Sequence, residues 1–280
     1  MIKYALPLNR KPIYKYPAPF SLKNALHEII DYRDFWFYLA VKWIKIKYDE
    51  SYLGFLWVLI NPILIAAFYA WVFGFVLGNT KGNFPYFLIV YAGFIVWQFF
   101  RDCFLEMGES FLREPAVLKR ANFPKLIIPL SLLSVKMIEF LISLVLVILL
   151  CGFYGVIDQI KWGLFLTSIL SMVLFTAGLS MLAAPLFVLY RDIKHAARFI
   201  IPYVLYTLPV LFSPENAPAS IHTFWLYNPL ASGILLFRAA LFNKPLEKQL
   251  LIVFLSLSVI LFLSGLFIFN KVEKKMIDLI

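Results

Sequence analysis

Six long apolar stretches, separated by short polar segments, dominate the pattern of the chain. A membrane-spanning helix needs about 20 predominantly apolar residues. The stretches that meet or approach this length are 52–77, 85–107, 126–157, 162–190, 196–212 and 250–269. The fifth is the shortest and contains Pro202 and Pro209. The pattern predicts a single all-α integral membrane domain over residues 1–280, with six transmembrane helices.

Residues 213–249, between the fifth and sixth stretches, follow a different pattern. Their apolar part, "FWLYNPLASGILLFRAALF" at 224–242, is interrupted by Asn228-Pro229 and contains Arg238. These interruptions predict re-entrant half-helices on the outer side of the membrane, and a seventh crossing is the alternative. Irregular backbone at membrane depth is tolerated only where protein or a watery cavity surrounds it.

The N-terminal segment 21–49 predicts an amphipathic helix at the cytoplasmic membrane surface. Polar residues recur there at three- and four-residue steps: Asn24, His27, Asp31, Asp34, Tyr38, Lys42, Lys45 and Asp49. The opposite face holds Trp36, Leu39, Ala40, Trp43 and Ile46. Lys47 falls on the apolar side, so either it extends toward water or the helix ends before it. A simple cationic flank that orients the first span is the alternative interpretation.

The distribution of cationic residues predicts the orientation. The chain is 62% hydrophobic and carries a net charge of +10, a composition that excludes a soluble domain and gives no basic face for nucleic acid. Twenty Lys and Arg lie in 1–51, 101–125, 191–198 and the tail from Lys271, against five in the intervening loops. Cytoplasmic loops of membrane proteins carry this excess. Both termini are therefore predicted to be cytoplasmic, which requires an even number of crossings.

The chain shows no motif of an enzyme. It contains no GxxxxGK[ST], HExxH, CxxC or GxSxG sequence, and its three histidines lie far apart. We therefore predict no catalytic residue, no metal site and no cofactor bound by this chain. Lys136 and Glu139 share a helical face inside the third stretch, where ionisable groups are functional candidates by default. The third stretch is longer than one crossing requires, which favours instead an ion pair between these two residues at the cytoplasmic interface.

The predicted cytoplasmic loop 101–125 carries charges of both signs. Its sequence continues into the third span as "EMGESFLREPAVLKRANFPKLIIPL" at 106–130, and Glu106 to Leu112 is compatible with a helix. An amphipathic, charged loop of this kind is suited to docking on a soluble partner. An ordinary solvated loop is the alternative.

Five stretches, in order, resemble the membrane permeases of ABC-type polysaccharide exporters. They are "KYDESYLGFLWVLINP" at 47–62, "YAGFIVWQFF" at 91–100, "LKRANFPKLIIPL" at 118–130, "LYRDIKH" at 189–195 and "YNPLASGILLFRAAL" at 227–241. The chain is most similar to the Wzm-type O-antigen permeases and to their capsule and teichoic-acid relatives.

The resemblance implies a homodimer in the bacterial cytoplasmic (inner) membrane. It further implies two copies of a separate ATPase subunit, which binds ATP and Mg, and a lipid-linked polysaccharide as substrate. The ATPase would contact the amphipathic helix and the 101–125 loop. The coupling candidates there are Asp34, Lys42, Glu109, Arg113, Lys119 and Arg120.

Aromatic side chains on two spans are the candidates for the polysaccharide pathway. Trp57, Asn61 and Phe68 share a face of the first span, with Tyr69 beside it, and Tyr203 and Tyr206 lie one turn apart on the fifth. Aromatic rings provide sequence-tolerant contacts for a moving glycan. A drug or lipid exporter of the same superfamily and a membrane-embedded glycosyl or lipid transferase are the alternatives, although a transferase would need paired carboxylates or a basic pyrophosphate clamp.

Overall fold

A computed structural model describes residues 29–49, 51–76, 84–113, 115, 118, 123–212, 219–245 and 248–279. Within these ranges the regular structure is helical and no strand occurs. Five helices are long and apolar enough to cross a membrane, so the chain is a multi-pass membrane protein. They are Gly54–Gly74, Tyr86–Gly108, Ile127–Phe153, Trp162–Leu189 and Gln249–Glu273.

We number the described helices in chain order. They are α1 Arg33–Tyr48, α2 Trp57–Ala70, α3 Tyr86–Gly108, α4 Ser110–Arg113, α5 Ile127–Phe153, α6 Trp162–Leu189, α7 Arg191–Val204, α8 Ala219–Tyr227, α9 Pro229–Leu241 and α10 Lys248–Leu279. A tight 3₁₀ turn, Gly54–Leu56, precedes α2, and a wider π-helical stretch, Trp71–Val76, follows it.

Helices α3 and α6 form the centre of the bundle. In each of them, 67% of the most apolar stretch of 18 residues is buried inside the chain, whereas only 17% is buried in the span containing α2. Helix α3 packs between α5 and α6, and α10 lies along α6. The span containing α2 therefore keeps most of its apolar surface free to face lipid or another protein.

Helices α6 and α10 approach closely because small residues face each other. A Cβ atom added to Gly178 would lie 2.5 Å from the backbone carbon of Leu261, and one added to Gly265 would lie 2.6 Å from the Gly178 carbonyl oxygen. Small residues allow such backbone contact between membrane helices. The sequence also shows Thr176, Ser180 and Ala184 at four-residue steps on α6, and all three are buried.

Replacing Gly178 by Ala should destabilise the bundle, because the new methyl group meets backbone rather than a side chain that can move. Overpacking of this kind costs about 1–3 kcal/mol. Gly163 on the same helix is the matched control, since a Cβ added there meets nothing within 4 Å. The midpoint of thermal unfolding in detergent should fall for Gly178→Ala and stay near wild type for Gly163→Ala. Equal midpoints would show that the backbones of α6 and α10 are not in close contact at Gly178.

Helix α1 is bound to α5 by specific side-chain contacts. The indole nitrogens of Trp36 and Trp43 donate to the hydroxyl oxygens of Ser134 and Ser131, at 3.1 and 3.2 Å. Leu39, Ala40 and Trp43 are buried, as the predicted apolar face requires, whereas Ile46 is exposed. The apolar face of α1 thus packs largely on protein. Residues 21–28 of the predicted helix lie outside the described residues.

The segment predicted as the fifth span, 196–212, is not among the five long apolar helices. Helix α7 ends at Val204, a helical turn covers Leu205–Thr207, and the backbone is then irregular to Phe212. Pro209 lacks an N–H group and restricts the residue before it, which prevents the helix from continuing.

Side chains satisfy the carbonyl groups of this irregular segment. Arg238, fully buried on α9, donates to the carbonyl oxygens of Pro209, of Val210 at 2.6 Å and of Phe212 at 3.2 Å. Three other donors serve the remaining carbonyls of 207–212: the Trp225 indole to Thr207, the Val210 N–H to Leu208, and the Tyr86 hydroxyl to Leu211. All six consecutive carbonyls from 207 to 212 therefore accept a hydrogen bond. In apolar surroundings, each polar group of a non-helical backbone needs such a partner.

Two short helices, α8 and α9, occupy part of 213–249. The chain breaks between them at Asn228, whose side-chain oxygen accepts from the backbone nitrogens of Leu230 and Ala231 at 3.0 and 3.4 Å. Pro229 follows at the first helical position, where its missing N–H is harmless. With nine and 13 residues, neither helix is long enough to cross a membrane alone.

Candidate functional site

The structure brings one pathway candidate on the first span against one on the predicted fifth. The hydroxyl oxygens of Tyr69 and Tyr206 are 3.3 Å apart, and the two rings meet edge to face with centroids separated by 6.3 Å. Tyr69 also contacts the rings of Phe68, Phe73 and Phe94. This arrangement joins the last turns of α2 to the helical turn Leu205–Thr207 that follows α7.

Phe68 contacts the Tyr69 ring, and Tyr203 lies one turn before Tyr206 along the chain. Each is 59% exposed, which means that the rest of the chain leaves most of the ring uncovered. Phe68 stands beside Trp71, and Tyr203 contacts Phe199 one turn earlier on α7. We call Phe68, Tyr69, Tyr203 and Tyr206 the aromatic face.

Trp57 and Asn61 lie elsewhere on the first span and line a polar cavity of about 100 Å³. The cavity lies between α1, α2, α3 and α5, and its other polar walls include Gln98, Asp102 and Glu139. Helical spacing predicts Trp57 and Asn61 on one face with Phe68, but the structure separates them into two environments. One is an aromatic surface and the other is a charged recess beside α1.

A buried lysine, Lys136, lines the recess. The ammonium group of Lys136 is 2.7 Å from a Glu106 oxygen and 3.2 Å from a Glu139 oxygen, so it is neutralised from two elements. Glu139 also binds the ammonium group of Lys47 at 2.8 Å and accepts from the Tyr48 hydroxyl at 2.9 Å. The predicted pairing of Lys136 with Glu139 is therefore confirmed, and Glu106 and Lys47 join it.

Lys47 explains the exception in the predicted amphipathic pattern. Helix α1 continues through Tyr48 and turns the Lys47 ammonium group toward the Glu139 carboxylate. Burial alone would lower the pKa of Lys47, but this carboxylate outweighs that effect, so the pKa is raised. Burial, with Glu139, also raises the pKa of Tyr48, so its hydroxyl stays protonated and donates.

The six coupling candidates have different surroundings. Asp34 is fully exposed and Lys42 lies over the Trp43 ring, at 5.7 Å from its centroid. Arg113, on α4, is partly exposed. Lys119 and Arg120 lie outside the described residues.

Glu109 differs from its sequence interpretation as part of a docking surface. Its carboxylate is buried and forms a two-point ion pair with the Arg198 guanidinium on α7, with Arg113 3.6 Å away. The contact of Glu109 is therefore intramolecular in this structure.

Arg198 and Arg238 are two further charged residues whose contacts could not be read from the sequence. For Arg238 a signal existed, since a lone arginine in an apolar stretch indicates a buried role. For Arg198 none existed, because Arg191, Lys194 and Arg198 read together as an ordinary cationic loop.

The described residues contain no group of three His, Cys, Asp or Glu that could hold a metal ion. Cys103 and Cys151 are both buried free thiols. The site therefore offers ring faces, hydroxyl groups and ion pairs, a set suited to binding and guiding a polar molecule.

Three curated relatives align with most of this chain. The chain is 30% and 29% identical to two proteins of Klebsiella pneumoniae, each described as O-antigen export system permease protein RfbA. Both alignments cover 85% of this chain and 91% of the relative. A Myxococcus xanthus protein of the same description is 26% identical, with 88% of this chain and 95% of the relative covered. No family model matches the chain.

Proposed function

Because the chain belongs to the family of O-antigen export permeases, we propose that it is the channel-forming subunit of an ATP-driven ABC transporter. Its substrate is a lipid-linked polysaccharide, most closely an O-antigen, carried outward across the bacterial cytoplasmic membrane. ATP and Mg are bound by two copies of a separate ATPase, since this chain has no phosphate-binding loop. The names of the relatives support the substrate class.

The observation that carries the proposal within the structure is the aromatic face. Tyr69 and Tyr206 join two segments, and the exposed rings of Phe68 and Tyr203 continue the surface. A glycan in transit needs contacts that release as easily as they form. Aromatic rings stack on the C–H surface of sugars, and tyrosine adds a hydroxyl for hydrogen bonding.

The topology we propose has six crossings and cytoplasmic termini. Helix α7, with 14 residues, rises about 21 Å, which is shorter than a bilayer core of about 30 Å. The irregular segment to Phe212 completes this crossing, with its carbonyls satisfied by Arg238 and its neighbours. Helices α8 and α9 then re-enter from the outer side, which is consistent with their lengths.

Two copies of the chain form the pathway. The span containing α2 is the least buried of the five, and α7 contributes no fully buried residue. One protomer therefore leaves the two elements that carry the aromatic face largely uncovered. A two-fold dimer places the same surface on both sides of a shared axis. The exposed polar side of α1 and helix α4, with Asp34, Lys42 and Arg113, face the ATPase.

A cleavable cross-link at the aromatic face tests dimer, pathway and export together. We expect Phe68→Cys, treated with a bifunctional thiol reagent, to give covalent dimers and to stop export until the link is reduced. The physical reason is that a bridge across the shared axis obstructs the pathway. The measurement is surface polysaccharide in cells whose only copy is the variant, before and after reduction.

Leu149→Cys is the matched control, because Leu149 is exposed on α5 but lies off the aromatic face. Cys103 and Cys151 are buried and contribute little background. Export is expected to continue for treated Leu149→Cys. Complete modification of Phe68→Cys without dimers, or export that continues through cross-linked dimers, would contradict the proposal.

A further inference from the structure

Seven side chains of alternating charge form a continuous chain of ion pairs across the cytoplasmic half of the protein. The order is Lys47, Glu139, Lys136, Glu106, Arg113, Glu109 and Arg198. Every link has a nitrogen and an oxygen within 3.7 Å. This series of ion pairs begins on α1, passes through α5, α3 and α4, and ends on α7.

The two ends of this series of ion pairs lie on functionally different helices. Lys47 belongs to α1, whose polar side is exposed, and Arg198 belongs to α7, which carries Tyr203 and leads directly to Tyr206. We propose that Arg198 is a positioning residue, through which the cytoplasmic loop after α3 sets the position of α7 and hence of the aromatic face. This inference rests on the proposed function.

The final link can transmit a displacement because Glu109 needs a partner. Its carboxylate is buried, and a buried charge left unpaired is strongly unfavourable. Arg198 holds both carboxylate oxygens, whereas the Arg198 side chain is itself 54% exposed. A movement of α4 or of the end of α3 therefore moves α7 with it as long as this charge-assisted pair is formed.

Arg113 provides an alternative partner when the link opens. Its guanidinium lies 3.6 Å from Glu109 and 3.7 Å from Glu106, longer than an optimal pair with either. It can close on Glu109 when Arg198 withdraws, so that the buried carboxylate is never left alone. The arrangement thus allows two positions of α7, one bound by Arg198 and one released.

The test compares Arg198→Gln with Arg191→Gln, an exposed arginine at the start of the same helix. Glu109→Gln and the double variant Glu109→Gln/Arg198→Gln complete a double-mutant cycle. Each variant is reconstituted with the partner ATPase in membrane vesicles. Glycan exported and ATP hydrolysed are measured per inserted permease. The ratio of glycan exported to ATP hydrolysed separates the two explanations. A lost position of α7 lowers this ratio, whereas a loss of folding lowers the inserted amount and leaves the ratio unchanged.

We expect Arg198→Gln to reduce glycan exported per ATP about tenfold, the scale of coupling in close charge pairs. The double variant should be no worse than either single one, and Arg191→Gln should match wild type. The inference is overturned if Arg198→Gln matches Arg191→Gln, if the two single effects multiply in the double variant, or if export and hydrolysis fall in proportion. Wild-type vesicles that hydrolyse ATP without exporting glycan would instead contradict the proposed function.

Discussion

Replacing Arg238 by Met should remove most of the inserted protein and almost all export. The guanidinium of Arg238 donates to four carbonyl oxygens, three in the irregular segment and one on Ile89 of α3, at 2.6 Å. Methionine keeps much of the volume but has no donor. Each buried carbonyl left without a partner costs about 1–3 kcal/mol. The Ile89 carbonyl keeps its partner within α3, but for the three carbonyls of the irregular segment the sum reaches the range of whole-domain stabilities, about 5–15 kcal/mol.

Arg238→Lys should give an intermediate result, because an ammonium group is a compact charge and cannot reproduce the fork of the guanidinium. Space is also limited: a Cβ added to Gly93 would lie 2.7 Å from a terminal nitrogen of Arg238. The guanidinium therefore lies directly against the backbone of α3.

Arg33→Met is the control, since Arg33 is exposed and its contact with the Asp34 carboxylate is long, at 3.8 Å. The measurements are inserted protein per cell and the midpoint of thermal unfolding in detergent. An Arg238→Met protein that inserts and unfolds like Arg33→Met would show that the segment 207–212 does not depend on this side chain.

Replacing both Tyr203 and Tyr206 by Ala should slow export of long chains about tenfold, since an aromatic contact contributes about 0.5–1.5 kcal/mol. Both rings are at least half exposed, so their removal leaves no large buried cavity. Inserted protein and thermal stability should therefore stay near wild type. Changing both to Phe should be partly tolerated, because the ring faces remain and only the hydroxyl groups are lost.

Much of the helical architecture could be predicted from the sequence, because apolar length and periodicity are local properties. Each of the five long helices overlaps a predicted span, although Gln249–Glu273 extends beyond 250–269 at both ends, and the apolar side of α1 is buried where the pattern placed Leu39 and Trp43. In each case the signal is the spacing of residue types within one element.

The remaining features depend on contacts between distant parts of the chain. Glu109 and Arg198 are 89 positions apart, and Arg238 meets Ile89 across 149 positions, so no local pattern reveals either contact. The sequence showed a charged loop at Glu109, whereas the fold buries that carboxylate. It also showed an apolar run at 196–212, and only the side-chain donors around it explain how a backbone broken at Pro209 is stabilised.

The central claim is that the glycan passes along the aromatic face formed by Phe68, Tyr69, Tyr203 and Tyr206. Surface polysaccharide per inserted permease tests it most directly, measured for the double Ala and double Phe variants of Tyr203 and Tyr206 beside Phe153→Ala. Phe153, at the end of α5, is 83% exposed and lies away from this face. The account predicts reduced export of long chains for the double Ala variant, a smaller loss for Phe and wild-type export for Phe153→Ala. Equal export per inserted molecule in all of these proteins would contradict it.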